Sequence, residues 1–296
     1  MRTVLPLFFL AASASFPALN TVHGVERQDV LQGRSFGKAG PYEQITGRAH
    51  FAVDPQSAAN RIVSDLQHAP RNAQGLVEFS ADVFVIKPRD PSKGNGTALF
   101  EVSNRGGRGL PRTFSFSQNL GEYGDGYLLE QGYTLVWLGW QFDVARRPGL
   151  LRVDVPVAKG ISGLVREDFQ CTESTQRFRL QNIYPVADTK EPAARLYVRE
   201  TTFGKRTQIP RDKWRFADGF TVEMNIPCRP GKSYDVVYTS IDPAVAGLGG
   251  AGIRDFISFL KYGGGDAVAL LGDQRRFLKR AIAFGSSQSG RYLRQF

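Results

Sequence analysis

A chain of 296 residues, 42% hydrophobic and 22% charged, can bury a substantial core and is long enough for one large domain or two small ones. Its net charge of +10 comes from scattered Lys and Arg, with no basic helix and no aromatic-rich RNA motif, which argues against specific nucleic-acid binding. Two cysteines without a His/Cys cluster are too few for a structural zinc site, and nothing in the pattern calls for a cofactor or a metal.

The N-terminus reads as an export signal over residues 1–24. Arg2 supplies the positive end and residues 4–10 the apolar run, and Ala12-Ser13-Ala14 offers cleavage after residue 14. A second site follows Val22-His23-Gly24. The apolar run is too short to span a bilayer, so no membrane span is expected and the mature chain is placed in the secreted or periplasmic space. In such a compartment Cys171 and Cys228 can form one disulfide, two free buried thiols being the alternative.

Residues 42–53 alternate well enough for an exposed strand. Residues 75–87, rich in β-branched and aromatic side chains, predict a second. Turn formers fill 88–96, where Asn95-Gly96-Thr97 also fits a glycosylation sequon, and 97–103 is a short apolar strand that should pair with 75–87 as a hairpin or as its neighbour in a sheet. Part of 116–131 should be helical. Residues 133–140 are apolar on both faces, as a central parallel strand must be. From about 147 to 233 the texture turns to Thr, Arg, Pro and isolated aromatics, which predicts a mostly β insertion carrying both cysteines, with a last strand at 234–240.

Residues 244–262 predict a helix whose buried face holds Ile253, Phe256, Ile257 and Leu260. Gly247–Gly252 matches G-x-G-x-x-G but lies away from a strand end, so a glycine-lightened helix start packed close to a neighbour is the better reading. Residues 275–280 should continue helically into a strand at 281–284.

That strand runs into Gly285-Ser286-Ser287-Gln288-Ser289-Gly290, the pattern of a nucleophile elbow, in which a sharp strand-to-helix turn lifts a serine hydroxyl above a sheet. The turn crowds the residues two before and two after its apex. Ser287 has Gly285 and Ser289 there, whereas Ser286 would have Phe284 and Ser289 would have Arg291. Ser287 is therefore the candidate nucleophile. Acyl transfer also needs a base, an orienting acid and donors for the developing oxyanion. The backbone N–H of Gln288 is one candidate donor, and the glycine-rich loop Arg105-Gly106-Gly107 after strand 97–103 is the other. The histidines, His23, His50 and His68, all precede the serine, and no histidine or carboxylate follows it. The sequence reads as the front part of a serine hydrolase, inactive by itself.

Ser103–Arg108, Tyr133–Trp140 and Gly285–Phe296 resemble the secreted bacterial α/β-hydrolase domain-containing proteins. The resemblance implies an α/β fold: a mostly parallel sheet with helices on both faces, the β insertion before the elbow, and C-terminal strands missing. It implies acyl hydrolysis of a small ester-like substrate, with Ser287 as nucleophile, Gln288 as oxyanion donor and Arg105–Gly107 as its partner loop. Two other readings stand beside it: a catalytically dead hydrolase-like binding module, and an exported β-rich binding protein. Oligomeric state is left open.

Overall fold

A computed structural model describes residues 19–117, 122–263 and 277–296. The main sheet contains β1 (Leu19–Asp29), β2 (Ser35–Phe36), β3 (Gly40–Val53), β4 (Val77–Pro88), β5 (Thr97–Val102), β6 (Thr134–Leu138), β7 (Val153–Asp154) and, far along the chain, β15 (Arg280–Phe284). Its strand order is β1-β3-β4-β6-β5-β15, with β2 against β3 and β7 against β4. The insertion holds the rest. A four-stranded sheet is built from β8 (Ser162–Gln170), β10 (Arg195–Arg199), β11 (Thr207–Ile209) and β14 (Ser233–Ile241), and a three-stranded one from β9 (Arg177–Arg179), β12 (Trp214–Asp218) and β13 (Thr221–Met224).

This is not the mostly parallel α/β sheet clothed in helices that the motifs suggested. Among the described residues, strand far outweighs helix and the pairing is mostly antiparallel. Only β5–β6 and β5–β15 run parallel. The described α-helices are four: α1 (Leu110–Phe114), α2 (Tyr127–Glu130), α3 (Leu248–Tyr262) and α4 (Gln288–Leu293), and of these α3 alone exceeds two turns. The physical reason lies in the connections. A parallel pair needs a crossover of a dozen or more residues. The chain supplies one between β5 and β6 and one between β6 and β15, whereas β1, β3 and β4 follow one another through turns and 3₁₀ segments and so pair antiparallel.

Two local expectations also change. The strand at 42–53 is not exposed: β3 lies between β1 and β4, and Tyr42, Ile45, Ala49 and Phe51 are buried. Strands β4 and β5 do not pair, because β6 comes between them, antiparallel to β4 and parallel to β5. β6 is buried along its whole length, as its two apolar faces demand. Of the helix expected within 116–131, α2 is described; 118–121 lie outside the described residues, as do 264–276 and therefore part of the helical run expected at 275–280.

Helix α3 starts at Leu248 and buries Ile253, Phe256 and Leu260 against the main sheet, with Ile257 half-buried. A second core on the sheet's other face gathers Leu110, Leu128, Leu129 and Trp137. The insertion has its own core of Leu196, Trp214, Phe216, Val236 and Tyr238, closed at one end by the Cys171–Cys228 disulfide. Residues 1–18, including the Ala12–Ala14 cleavage site, lie outside the described residues. Cleavage after Gly24 would remove the first half of β1, which pairs through Thr21, Val22 and His23 with His50, Ala49 and Arg48 of β3. No described helix is long and apolar enough to cross a membrane.

Candidate active site

The carboxyl ends of β6, β5 and β15 lie side by side, with Glu101 of β5 opposite both Trp137 of β6 and Phe284 of β15. The loops that leave these ends are 139–144, 103–109 and 285–287. In open sheets, ligands bind at the carboxyl ends of parallel strands. The sequence-predicted oxyanion loop and elbow therefore meet at one edge, on neighbouring strands.

The turn after β15 places Ser287 at φ 57° and ψ −117°, directly before α4. A serine at positive φ is costly, by about 1–3 kcal/mol, and such residues persist where surrounding structure enforces them. Here the enforcement is visible. A Cβ at Gly285 would stand 2.8 Å from the carbonyl carbon and oxygen of Ser289, and one at Gly290 would stand 2.9 Å from the Gly285 oxygen. The strand end and the first turn of α4 are thus in backbone contact, and only glycine allows it. Ser289 is fully buried and donates its hydroxyl hydrogen to the Ser286 carbonyl at 2.8 Å. Ser287, by contrast, is exposed at the apex, and its hydroxyl makes no hydrogen bond among the described residues.

The donors sort themselves by what they already bind. The Arg105 N–H, one of the three loop candidates, is taken: it donates to Gln141 Oε1 at 2.8 Å. The Gly107 N–H donates to the Asn104 carbonyl at 3.1 Å. The Gly106 N–H has no partner among the described residues. The Gln288 N–H is equally free at the start of α4, where the first N–H groups lack intrahelical acceptors. Gly106 sits at φ 77°, and a Cβ there would stand 2.6 Å from the Leu151 carbonyl oxygen, so the loop is pressed onto residue 151 with no room for a side chain.

Sequence reasoning missed the residues that hold this edge together. Gln141, buried just past β6, accepts from Arg105 N–H and donates through Nε2 to Gln288 Oε1 at 3.2 Å, tying the loop to the elbow helix. Arg105 pairs with Asp143 at 2.8 Å. Buried Glu101 accepts from the N–H groups of Gly109 and Leu110 at 2.8 Å and from Trp137 Nε1 at 2.5 Å, which anchors the far end of the loop and caps α1. Burial pushes its carboxyl above the usual carboxylate range, against the pull of those donors. Trp140 donates Nε1–H to the Ser103 carbonyl at 2.6 Å and packs on Tyr292 of α4. Burial pushes the Tyr292 hydroxyl up to about 12. A polar glutamine directly after an apolar strand was the available sequence signal for Gln141; Glu101 inside an apolar strand was the signal for the other.

The histidines stand elsewhere. His23 and His50 face each other on β1 and β3, ring centroids 4.8 Å apart. Four strand spacings separate β3 from β15, roughly 19 Å at ~4.8 Å each. His68 is exposed in the 3₁₀ turn Leu66–His68. The glycine run of 247–252 is the first part of α3, where a Cβ at Gly249 would stand 1.9 Å from the Trp140 carbonyl oxygen; it serves close packing. No group of His, Cys, Asp and Glu among the described residues is placed to hold a metal ion. No family model matches this chain, and no curated protein or solved structure is significantly similar to it.

Proposed function

We propose that this chain carries the nucleophile and oxyanion donors of a serine acyl hydrolase, with Ser287 attacking the carbonyl of a small ester. The observation that carries the reading is the strained, exposed Ser287 at the junction of β15 and α4, beside a free Gln288 N–H and on the strand next to β5, whose following loop carries a free Gly106 N–H. Strain concentrates at functional sites because a relaxed turn would not hold a hydroxyl in that position. The free Gly106 and Gln288 N–H groups belong to a loop and a helix start that Gln141 ties together through the Arg105 N–H and the Gln288 side chain, so as donors they would stabilise an oxyanion without rearranging when charge develops. In the proposed step the serine oxygen bonds to the ester carbon and its proton passes to a general base other than the three histidines. The C–O bond of the ester breaks as that proton is delivered to the departing alkoxide. Water, giving its proton to the same base, then releases the acid while the proton returns to the serine oxygen. The motif resemblance to secreted α/β-hydrolase domain-containing proteins points to the same reaction. The Cys171–Cys228 bridge supports export into an oxidising compartment.

The unpartnered Ser287 hydroxyl favours one second reading, a module that binds an ester-like ligand without turning it over. Labelling with a fluorophosphonate and hydrolysis of short p-nitrophenyl esters by the protein as encoded in full separate the two. Ser287→Ala is expected to abolish both with little change in melting temperature, because the nucleophile itself is lost. Silencing by Ser289→Ala instead would overturn the choice of apex. Absence of labelling in the wild-type protein would favour the binding module.

A further inference from the structure

The insertion holds a cleft of its own, which shares no lining residue with the β15–α4 turn or the loops beside it. A volume of about 1150 Å³ opens between the end of β8, strand β9 and the segments 171–175 and 180–183. That is roomier than an ordinary small-molecule site of about 300–1,000 Å³ and suits a ligand of several linked units.

The apolar part of the cleft is aromatic. Phe169, Phe178 and Phe220 line it, each half-buried. Phe169 is the middle ring of a ladder, packed on Tyr234 at 5.1 Å between centroids and on Phe178 at 3.5 Å. Tyr234 is buried in the insertion's core outside the cleft, so the ladder runs from that core to Phe178 at the cleft wall. The polar part is uncommitted. Gln170, Thr172, Ser174 and Gln181 are exposed, and their side chains make no hydrogen bond among the described residues. Amides and hydroxyls can both donate and accept. The charged residues of the lining are Glu173 and Arg179, which cancel. The walls are also fixed. Cys171 and Cys228 both line the cleft and are joined by the disulfide. Beside the bridge, the Cys228 N–H donates to the Thr175 carbonyl and the Gly231 N–H to the Cys171 carbonyl, both at 2.8 Å. A site held in this way loses little freedom when a ligand enters.

We infer that this cleft binds a neutral oligosaccharide. A sugar ring has a face of C–H groups and a rim of hydroxyls. The face packs on an aromatic ring, whose negative surface attracts C–H hydrogens, and the rim needs partners that donate and accept at once. Phenyl rings beside free amides and hydroxyls supply both. An apolar ligand would cover those polar groups and leave them unpaired, and an anion would find no net positive charge. The insertion thereby anchors the chain to a polysaccharide, independently of the chemistry at Ser287.

Isothermal titration with cellohexaose, maltohexaose and chitohexaose tests this, with a sulfated heparin hexasaccharide as the anionic comparison. Saturable binding of at least one neutral chain is expected. It should be unchanged in Ser287→Ala and between about 50 and 500 mM salt, because a neutral ligand has no charge to screen. Phe178→Ala should weaken it about tenfold, and Phe178→Tyr, which keeps the ring, hardly at all. Phe178 is half-buried, so melting curves accompany both variants. Gln170→Ala combined with Gln181→Ala alters exposed side chains alone and should also weaken binding about tenfold. Three results overturn the inference: no binding of any neutral hexasaccharide, wild-type binding by a folded Phe178→Ala or by the double-alanine protein, or a preference for the sulfated chain that salt abolishes.

Discussion

Gly285 offers the sharpest test of the elbow, because its surroundings turn one methyl group into a displacement of the site. Its φ lies outside the left-handed region, so alanine loses nothing conformationally, and any effect must come from contact. The methyl would sit 2.8 Å from the carbonyl carbon and oxygen of Ser289 and 3.0 Å from the Gly290 nitrogen, all backbone. Ordinary contact needs ~3.5 Å, so α4 must retreat by roughly 0.7 Å, carrying the Gln288 N–H and the Ser287 apex with it. Overpacking of this kind costs about 1–3 kcal/mol in stability. A misplacement near 1 Å costs up to about 10²-fold in rate, so Gly285→Ala should slow fluorophosphonate labelling at Ser287 by at least ~10-fold. Stopped labelling time courses, followed with a melting curve for each variant, give both numbers. Ser286→Ala, whose side chain is exposed and whose carbonyl remains to accept from Ser289, serves as the control and should label as wild type. If Gly285→Ala labels at the wild-type rate with an unchanged melting temperature, the crowding argument for Ser287 is wrong.

Removing the disulfide with Cys171→Ser and Cys228→Ser releases a loop of 57 residues, worth ~4 kcal/mol on the loop-entropy model; the denaturation midpoint of the insertion should fall accordingly, and unreduced peptides should show the linked pair by mass spectrometry. Asp235 is buried among Arg166, Arg199 and Arg206; burial pushes its carboxyl up, but Arg166 and Arg199 more than offset this and hold it below the ordinary Asp value of 3.8. The folded carboxyl is depressed, so its stabilisation is full above that pH and fades as the pH falls further. Asp235→Asn, which leaves buried Arg199 opposite a neutral amide, should cost about 3–5 kcal/mol at neutral pH, and the gap to wild type should close in acid; a pH-independent gap would refute the ion-pair account. Glu101→Leu orphans the Gly109, Leu110 and Trp137 N–H donors at about 1–3 kcal/mol each, and should destabilise far more than Glu101→Gln, which keeps one acceptor oxygen; equal melting temperatures would show that the loop does not depend on Glu101.

The features legible in the sequence are those decided within a few residues of one another. Ser287 could be singled out because the elbow's crowding acts on neighbours two positions away, where Gly285 and Ser289 can be read directly. The buried faces of α3 and of β6 follow from side-chain periodicity, and 3.6 or 2.0 residues per repeat is a local property. What tertiary structure alone decided is which strand lies beside which. Residues 42–53 alternate like an exposed strand, yet β1 and β4 cover them; β4 and β5 are consecutive, yet β6 separates them. Strand pairing is settled by contacts between residues far apart in the chain, and backbone groups carry no sequence label for their partners. The same reason hid the antiparallel character of the fold, which the motifs had suggested would be mostly parallel. It hid Gln141, whose two hydrogen bonds reach 36 and 147 residues away.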